Sequence, residues 1–333
     1  MITIDAISRS IINNLQIGFP LNKHPFADAA KKLDISESIL ITRLQTMLSH
    51  GFLTRFGPLF NAEQMGGGLT LAAIAVAENE FDTVAEIINA LPEVAHNYAR
   101  DHTLNMWFVL ACETADGIQA TVDKIEKLTG HKVVNLPKLE EYRLGFKLKL
   151  DDAGSIDTVP LEVSSYLKTG IDKTIEPTKE QRAVITATQE GLPLTQCPYE
   201  DVANGLGITE AQLINHLTNM LERGWIRRIG VVPNHIKLGL KGNGMSVWNL
   251  PDDKIKTLGE KIGSLGYVSH CYKRPRNLPQ WEYNLFVMVH GSDRSIVSKR
   301  VGEISKMLGD DDRGHEILYS SKILKKSGMR LKN

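Results

Sequence analysis

Residues 18–58, GFPLNKHPFADAAKKLDISESILITRLQTMLSHGFLTRFGP, return in outline at residues 191–231, GLPLTQCPYEDVANGLGITEAQLINHLTNMLERGWIRRIGV. At an offset of 173 residues, Gly18, Pro20 and Leu21 match Gly191, Pro193 and Leu194, and Leu40, Leu44 and Leu48 match Leu213, Leu217 and Leu221. A second stretch, VAHNYAR at residues 94–100, returns as VSHCYKR at residues 268–274, with an offset of 174. Chance similarity between two helical segments would not keep these residue types in step over so long a stretch. The sequence therefore predicts a tandem duplication.

The first part of each repeat has the pattern of three helices and a wing. In the first copy, isoleucines and leucines at helical spacing predict a helix over residues 4–17, and Ser36 is a candidate N-cap for the third helix. Residues 52–60 have strand character that Gly57 and Pro58 interrupt, which suggests a small wing. Three helices and a wing are typical of a winged helix-turn-helix.

The second part of each repeat alternates strands and helices. In the first copy the pattern predicts strands over residues 69–77, 94–100, 104–112 and 133–143, and helices over 81–90 and 115–128. This βαββαβ order is typical of a ferredoxin-like module, an antiparallel sheet with two helices on one face. The second copy repeats the order from Gly244 to about Ile323.

The predicted fold is therefore of the α+β class, a tandem duplication in which each half is a winged helix-turn-helix followed by a ferredoxin-like domain. The predicted domains are a winged helix-turn-helix over 1–62, a ferredoxin-like domain over 63–150, a linker over 151–179, a winged helix-turn-helix over 180–236 and a ferredoxin-like domain over 237–333. The linker is polar and broken by glycine and proline, with a short helix expected around residues 161–167.

The overall composition argues against several classes of protein. Lys+Arg and Asp+Glu are both 39, so the formal net charge is +0, whereas nucleic-acid-binding domains usually carry clustered positive charge. The longest apolar runs, such as LTLAAIAVA from Leu69, are too short to span a membrane, and the N-terminus lacks the pattern of an export signal. The three cysteines form no CxxC pair, which fits a reducing compartment. We expect a cytoplasmic protein that contacts no membrane.

The candidate site is a His-x-Tyr-x-Arg array that occurs once in each half. Because alternate residues on a strand share a face, the three side chains of each array should point the same way. The arrays are His96, Tyr98 and Arg100 in the first half, and His270, Tyr272 and Arg274 in the second. His102 joins the first array if the strand or its turn keeps this alternation.

These side chains suit a planar ligand that carries several negative charges. Arginine presents a planar fork that binds carboxylates through two hydrogen bonds. Tyrosine can cover a flat ring, as can the nearby Trp107, and histidine changes its charge near neutral pH. A packed core has little use for this mixture, because each buried polar group needs a partner. A metal site is less attractive, since no Cys/His spacing suggests zinc.

Other polar residues are interpreted as structural. Arg55 and Arg228 lie in the wings and could reach a ligand held between domains, but solvated wing cations are the favoured interpretation. His290 lies at a strand end and is expected to be structural, and His235 has no companion in the sequence.

Each half, a winged helix-turn-helix followed by a βαββαβ module, resembles the Lrp/AsnC family of transcriptional regulators. A DNA-reading helix needs exposed basic or amide side chains near its start. The candidate helix of the first copy carries one basic residue, Arg43, and that of the second has none before Arg223. We therefore expect a retained scaffold and no nucleic-acid partner. A regulator that senses a tetrapyrrole or another metabolite is the alternative, and a heme carrier without turnover is a third hypothesis.

A closer resemblance is to the siroheme decarboxylases, in their fused D–L form. It rests on HNYARDHTLNMWFVLA (96–111), VSHCYKRPRNLPQWEYNLFVMVHG (268–291), RFGPLFN (55–61) and SSKILKKSGMRL (320–331). The first half resembles the D-type or G-type subunit, and the second the L-type or H-type subunit. The match runs through both halves.

The resemblance implies an enzyme that removes the acetate carboxylates on rings C and D of siroheme, giving 12,18-didecarboxysiroheme for heme d1 biosynthesis. No cofactor is implied, because the iron tetrapyrrole is the substrate. Its own macrocycle can delocalise the electron pair that remains when carbon dioxide leaves. The implied roles are proton delivery by His96, His102 and His270, carboxylate binding by Arg100 and Arg274, and ring contact by Tyr98, Tyr272 and Trp107. Besides siroheme, the resemblance is compatible with a homo-oligomer or with further decarboxylase subunits as partners.

Overall fold

A computed structural model of the chain describes residues 4–160 and 176–326. The first half contains α1 (Ala6–Leu15), α2 (Pro25–Lys32), α3 (Glu37–Ser49), β1 (Leu53–Phe60), β2 (Gly68–Ile74), α4 (Phe81–Ala90), β3 (Val94–Arg100), β4 (Met106–Cys112), α5 (Gly117–Thr129), β5 (Val134–Pro137), β6 (Glu140–Leu144), β7 (Phe146–Leu150) and β8 (Ile156–Pro160). The helix expected around residues 161–167 lies outside the described residues.

The second half contains α6 (Lys179–Thr188), α7 (Pro198–Leu206), α8 (Glu210–Glu222), β9 (Ile226–Pro233), α9 (His235–Leu238), β10 (Gly242–Trp248), α10 (Ile255–Gly263), β11 (Val268–Lys273), β12 (Leu285–Gly291), α11 (Arg294–Leu308) and β13 (His315–Lys326). It has the same order of helices and strands as the first half up to α11, apart from the additional short helix α9, and ends in a single long strand, β13. No helix among the described residues is both long and apolar enough to cross a bilayer.

The third helix of each N-terminal part begins with a side-chain cap. Ser36 Oγ accepts a hydrogen bond from the backbone N–H of Ile39, 3.2 Å away, so the predicted N-cap of α3 is confirmed. Thr209 and Gln212 form a reciprocal capping box at the equivalent start of α8. Apolar residues from both sets of helices pack into one shared core.

The two predicted wings differ from expectation, because β1 is not interrupted and pairs with β9 of the other half. Gly57 lies opposite Gly230 in this antiparallel pair. A Cβ atom on Gly57 would lie 3.0 Å from Gly191 Cα, and one on Gly230 would lie 2.2 Å from the backbone oxygen of Leu15. The glycines therefore permit close packing between the two copies, where the sequence suggested a break in the strand.

A nine-stranded sheet with the order β5-β2-β4-β3-β13-β10-β12-β11-β6 joins the two C-terminal modules. β13 pairs with β10 through its first residues and with β3 of the other half through its last ones. The strand predicted over residues 133–143 is in fact two strands, of which β5 pairs with β2 and β6 crosses to pair with β11. Each half thus completes the sheet of the other.

The two faces of this sheet have different surroundings. Helices α4 and α5 pack against one face of the first module, as predicted, through residues such as Ile88 and Ile125. The other face carries a second core that contains residues of both halves, among them Trp107, Trp281 and Phe286. The predicted arrays lie on the strands that border this inner core.

The start of the predicted linker is structured. β7 and β8 form a hairpin whose second strand lies inside residues 151–179. Gln16 of α1 holds this hairpin, since its side chain donates to the Leu148 carbonyl at 2.8 Å and accepts from the Leu148 N–H at 2.9 Å. The first ten residues of the predicted linker therefore belong to the helix-turn-helix region, because they complete a hairpin that packs on its core.

Candidate active site

The first array forms a row along β3. The ring centroids of His96 and Tyr98 are 6.2 Å apart, and the guanidinium carbon of Arg100 lies 5.8 Å from the centroid of the Tyr98 ring. His96 and Tyr98 are half-buried, whereas Arg100 is buried. The alternation of the strand therefore brings these three side chains together on one face.

The second array forms the equivalent row along β11 and the residue that follows it. The ring centroids of His270 and Tyr272 are 5.9 Å apart. The guanidinium carbon of Arg274 lies 5.3 Å from the Tyr272 ring centroid and 5.4 Å from that of Phe286. The duplicated sequence thus produces a duplicated arrangement of imidazole, phenol and guanidinium.

Both arginines are held by the other half of the chain and keep one donor available. Arg100 donates through Nη1 to the carbonyl of Leu318, and Arg274 donates through Nη1 to the carbonyl of Leu136. Neither buried Nε finds a hydrogen-bond partner among the residues that the structure describes. Burial lowers the pKa of each guanidinium to about 10, so both remain charged at neutral pH. Each guanidinium is therefore a fixed cation with an unused N–H group. That group can donate a hydrogen bond to an incoming carboxylate.

Two further cations, which the sequence analysis did not select, belong to the second row. Lys138 places its Nζ 5.6 Å from the Tyr272 ring centroid and also pairs with Glu63 and Glu141. Arg227 of β9 is close enough for its charge to act on His270. The residue at the offset of 173 from Arg227 is Thr54, so this difference between the copies was a signal available in the sequence.

His270 is surrounded by these positive charges. Burial and the charges of Arg227 and Arg274 lower the pKa of its imidazole to about 4, with smaller contributions from His235 and Lys138. The ring is therefore neutral near pH 7. An anionic ligand that offsets the nearby cations would raise this pKa.

His102 lies beyond the end of β3 and does not extend the first row. Its Nδ1 accepts a hydrogen bond from the Leu104 N–H at 2.9 Å, and its Nε2 is 3.4 Å from a carboxylate oxygen of Glu316. Its ring is 5.7 Å from that of Trp281, centroid to centroid. The expected alternation stops at Arg100 because the chain turns there, and His102 instead contacts the second half.

Trp107 has no exposed surface. Its Nε1 donates to the Leu104 carbonyl at 2.6 Å, and its ring packs 5.1 Å from Trp281 and 6.4 Å from Phe286. In this structure it cannot cover a ligand as the sequence suggested. Its ring instead lies next to Arg100, whose guanidinium carbon is 6.0 Å from the Trp107 ring centroid.

The interpretation of Arg55 and Arg228 as solvated wing cations is wrong. Arg55 donates to the carbonyl of Gln189 at 2.6 Å. Arg228 donates to the carbonyl of Val231 at 3.0 Å and also to that of Gln16. Both side chains tie the two helix-turn-helix regions together, because paired strands bring each wing against the other copy.

His290 was expected to be structural, and the structure places it beside the second row. It is buried, and its Nε2 is 2.5 Å from the hydroxyl oxygen of Ser269, the neighbour of His270.

The described residues contain no cluster of three or more His, Cys, Asp or Glu side chains arranged to hold a metal ion.

Comparisons with known families match both parts of each repeat. A family model described as an AsnC-like ligand binding domain matches residues 65–143 and 237–325. A second model, described as the siroheme decarboxylase NirDL-like HTH domain, matches residues 8–53 and 181–227. The two models recur in the same order in each half, as the duplication requires.

Individual relatives agree with these models. A siroheme decarboxylase of Hydrogenobacter thermophilus is 30% identical over 301 residues, which cover 89% of this chain and 86% of that protein. The siroheme decarboxylase NirH subunit of Paracoccus pantotrophus is 48% identical over 47% of this chain and 98% of its own length. A crystal structure of the siroheme decarboxylase NirDL in co-complex with an iron-uroporphyrin III analogue superimposes with a TM-score of 0.72 at 27% identity, covering 97% of this chain and 93% of that one. The chain therefore belongs to the siroheme decarboxylase family.

Proposed function

We propose that this protein is a carboxy-lyase that removes the acetate carboxylates on rings C and D of siroheme, giving 12,18-didecarboxysiroheme for heme d1 biosynthesis. The observation that carries the proposal is the pair of His-Tyr-Arg rows on one sheet, each with a buried arginine that keeps an unused N–H. A flat ligand with carboxylates around its edge matches fixed cations set beside aromatic rings. The NirDL structure with an iron-uroporphyrin III analogue supports the same class of ligand.

The chemistry needs a proton donor and no external reductant. When the bond between the acetate methylene carbon and its carboxyl carbon breaks, the electron pair stays on the methylene carbon and is delocalised into the macrocycle. Carbon dioxide leaves, and the methylene carbon takes one proton to become a methyl group. Each decarboxylation therefore consumes one proton, which a histidine can supply. We assign this task to the group formed by His96, His102 and His270.

The other residues of the rows have binding roles in this proposal. Arg100 and Arg274 bind carboxylates that do not react, with Arg227 adding positive charge at the second row. Tyr98 and Tyr272 lie against the macrocycle. Because the side chains of the rows are half-buried or buried, a carboxylate held among them is partly shielded from water, which favours its loss as neutral carbon dioxide. No cofactor is required, and further decarboxylase subunits or copies of this chain remain candidate partners.

A DNA-binding regulator is the alternative, and the contacts of its candidate reading helices do not favour it. Arg43, the one basic residue of α3, pairs with Asp5 at 2.9 Å. Arg223, at the end of α8, lies with its guanidinium carbon 5.4 Å from the Trp225 ring centroid. These side chains leave little positive charge for phosphate groups.

The test is anaerobic incubation of the purified protein with siroheme, followed by mass spectrometry of the tetrapyrrole. We expect the loss of two carbon dioxide units per molecule. The matched control is the double variant Arg100→Ala and Arg274→Ala, which should leave siroheme unchanged. Unchanged siroheme with the wild-type protein, together with tight and salt-sensitive binding to an operator, would support the regulator instead.

A further inference from the structure

A chain of hydrogen bonds leads from His270 into the interior of the second module. His270 Nδ1 is 2.7 Å from Ser269 Oγ, and the same hydroxyl is 2.5 Å from His290 Nε2. His290 Nδ1 is in turn 2.5 Å from Asn243 Oδ1. Ser269 has no exposed surface and His290 is 3% exposed, so the chain runs through protein and not through solvent.

Asn243, the last residue of the chain of hydrogen bonds, determines which atom donates in each of them. Asn243 donates through Nδ2 to the Leu240 carbonyl at 3.0 Å, so its Oδ1 faces His290 as an acceptor. His290 must then carry its proton on Nδ1, which leaves Nε2 to accept from the Ser269 hydroxyl. The Ser269 oxygen accepts in its turn from His270. The proton of neutral His270 is thereby held on Nδ1, and Nε2 is the nitrogen that can exchange a proton with a ligand.

The first module keeps the histidine, His96, but lacks the other three members of this chain. The strand bulge that holds Ser269 between Val268 and His270 holds Ala95 in the first half. The cross-strand pair of Asn243 and His290 corresponds to the pair of Leu69 and Ala111. The residues that line His270 in the second module are polar, whereas their equivalents beside His96 are apolar. This difference indicates that only His270 needs a fixed tautomer.

We propose that Ser269, His290 and Asn243 are positioning residues that orient His270, and that the second row is where an oriented imidazole protonates the product carbon. This inference rests on the proposed decarboxylation. The charged groups near His270 are consistent with it. Arg227 from β9 and Arg274 beyond β11 are cations, and His235 from α9 is nearby. Lys138 before β6 is also close, but its charge is offset by its pairs with Glu63 and Glu141. The two arginines hold the ring neutral until a carboxylate-rich ligand arrives. His270 then takes up a proton on Nε2 and delivers it to the carbanion.

The first test uses Ser269→Ala, with Ser269→Thr and Ser246→Ala beside it. Alanine occupies the equivalent site in the first module, so Ser269→Ala should fold. We expect its kcat to fall by about tenfold or more, part of the roughly 10²–10⁴-fold that a positioned acid contributes, while KM for siroheme stays within about twofold. The limb of its kcat–pH profile that reports His270 should move to lower pH, because the hydroxyl no longer accepts from the imidazolium.

The two comparison variants separate positioning from packing. Ser269→Thr keeps the hydroxyl and should restore most of kcat. Ser246 is fully buried in the same sheet and accepts from Trp248 Nε1, so Ser246→Ala removes a comparable buried hydroxyl outside the site and should leave kcat and the pH profile unchanged. A wild-type kcat and pH profile in Ser269→Ala would overturn the proposal while leaving the decarboxylase function intact.

The second test does not depend on activity. Nitrogen NMR of the protein labelled with ¹⁵N-histidine, with His270 and His290 assigned from His270→Gln and His290→Gln, reports which ring nitrogen carries the proton. We expect the Nδ1–H form for both rings, and a mixture of tautomers at His270 in Ser269→Ala. The Nε2–H form at His270 in the wild type would overturn the proposal even if siroheme is decarboxylated. Failure of siroheme decarboxylation with both tautomers as expected would count against the function instead.

Discussion

The guanidinium of Arg100 and the backbone carbonyl of Leu318 form a hydrogen bond between residues 218 positions apart. Arg274 makes the equivalent bond to Leu136, which is 138 positions away. In each case the arginine belongs to one half and the carbonyl to the last part of the other half's module. Each row of the site is therefore completed by a strand from the other copy.

Replacing either arginine by lysine should weaken siroheme binding. Lysine keeps the positive charge and can keep a hydrogen bond to the carbonyl, but its compact ammonium lacks the planar fork that lets one guanidinium donate to the carbonyl and to a carboxylate in fixed directions. A hydrogen bond to a charged group contributes about 1.5–3 kcal/mol, so we expect Kd to rise about 10- to 100-fold in Arg100→Lys and in Arg274→Lys. Anaerobic absorbance titration measures the change.

The control for this experiment is Arg276→Lys. The Arg276 guanidinium pairs with the carboxylate of Asp252, so its replacement should leave Kd unchanged. If Arg100→Lys and Arg274→Lys both bound siroheme as tightly as the wild type, the assignment of these residues to carboxylate binding would be wrong.

Alanine substitutions at His96 and His102 should lower turnover while the fold is kept. Both are proposed to exchange protons with the substrate; His96 lies in β3 and His102 beyond its end, so they need not act on the same acetate. We expect the rate of carbon dioxide loss to fall by about 10²-fold or more in each, within the range of general acid catalysis. Single-turnover mass spectrometry gives the rate, and circular dichroism checks the fold.

His131→Ala is the matched control for His102→Ala. His131 Nε2 is 3.5 Å from a carboxylate oxygen of Glu80, a distance close to that of His102 and Glu316, but it lies outside the rows. Its loss should affect stability to a similar degree and turnover not at all. Wild-type rates in both His96→Ala and His102→Ala would exclude these two side chains as proton donors.

Local signals in the sequence predicted the elements but not how the two copies combine. The N-cap at Ser36 depends on hydrogen bonds within four residues and could be read directly. The pairing of β1 with β9 depends on contacts about 170 residues apart, and Gly57 has the same appearance in a turn as in a close-packed strand. The exchange of β6 likewise leaves no trace in periodicity, because a strand alternates in the same way whichever neighbour it has.

The candidate site was predictable where its residues are adjacent in sequence. The rows follow from strand alternation alone. Arg227, Ser269 and His290 come from three different strands, and only the fold shows that they meet at His270. A comparison of the two copies would have marked them, because each replaces an uncharged or apolar residue of the first half.

Binding of siroheme should be accompanied by proton uptake. Burial and nearby cations hold the pKa of His270 at about 4 in the absence of ligand, and carboxylates that offset those cations should raise it. Between about pH 5 and pH 6 the ring would then be neutral before binding and largely protonated afterwards. Calorimetric titration in buffers of different ionisation enthalpy measures the number of protons taken up.

The variant His270→Gln provides the control for proton uptake. Its binding enthalpy should depend less on the ionisation enthalpy of the buffer than that of the wild type. The difference should correspond to an uptake of up to one proton fewer per siroheme bound. Equal buffer dependence in the two proteins would show that another group accounts for the uptake.

The free energy of unfolding should fall as the solution becomes acidic. The pKa of His270 is about 4 and that of His290 about 3 in the folded protein, both lowered chiefly by burial, whereas an unfolded histidine titrates near 6.5. Below about pH 6.5 the unfolded state therefore binds more protons than the folded one, so stability is lost as the pH falls from about 6.5 toward 4. The loss should be on the order of 3 kcal/mol for each ring.

Urea unfolding at several pH values between about 4.5 and 7 tests this expectation. His290→Gln removes one of the two groups and should make the dependence on pH shallower. If the variant and the wild type lost stability with the same slope, His290 would not be the buried neutral histidine that the structure describes.

The two halves should reassemble when the chain is divided between residues 160 and 176. Each fragment lacks strand partners that the other supplies, since β6 pairs with β11, β13 with β3 and β1 with β9. Co-expressed fragments 1–160 and 176–333 should therefore purify as a one-to-one complex that retains decarboxylation. Gly230→Ala should prevent reassembly, because its Cβ would lie 2.2 Å from the Leu15 oxygen, whereas Gly205→Ala, with no atom within 4 Å, should not. If the two fragments instead purified separately and each was folded, then neither half would need the strands of the other half for its own folding.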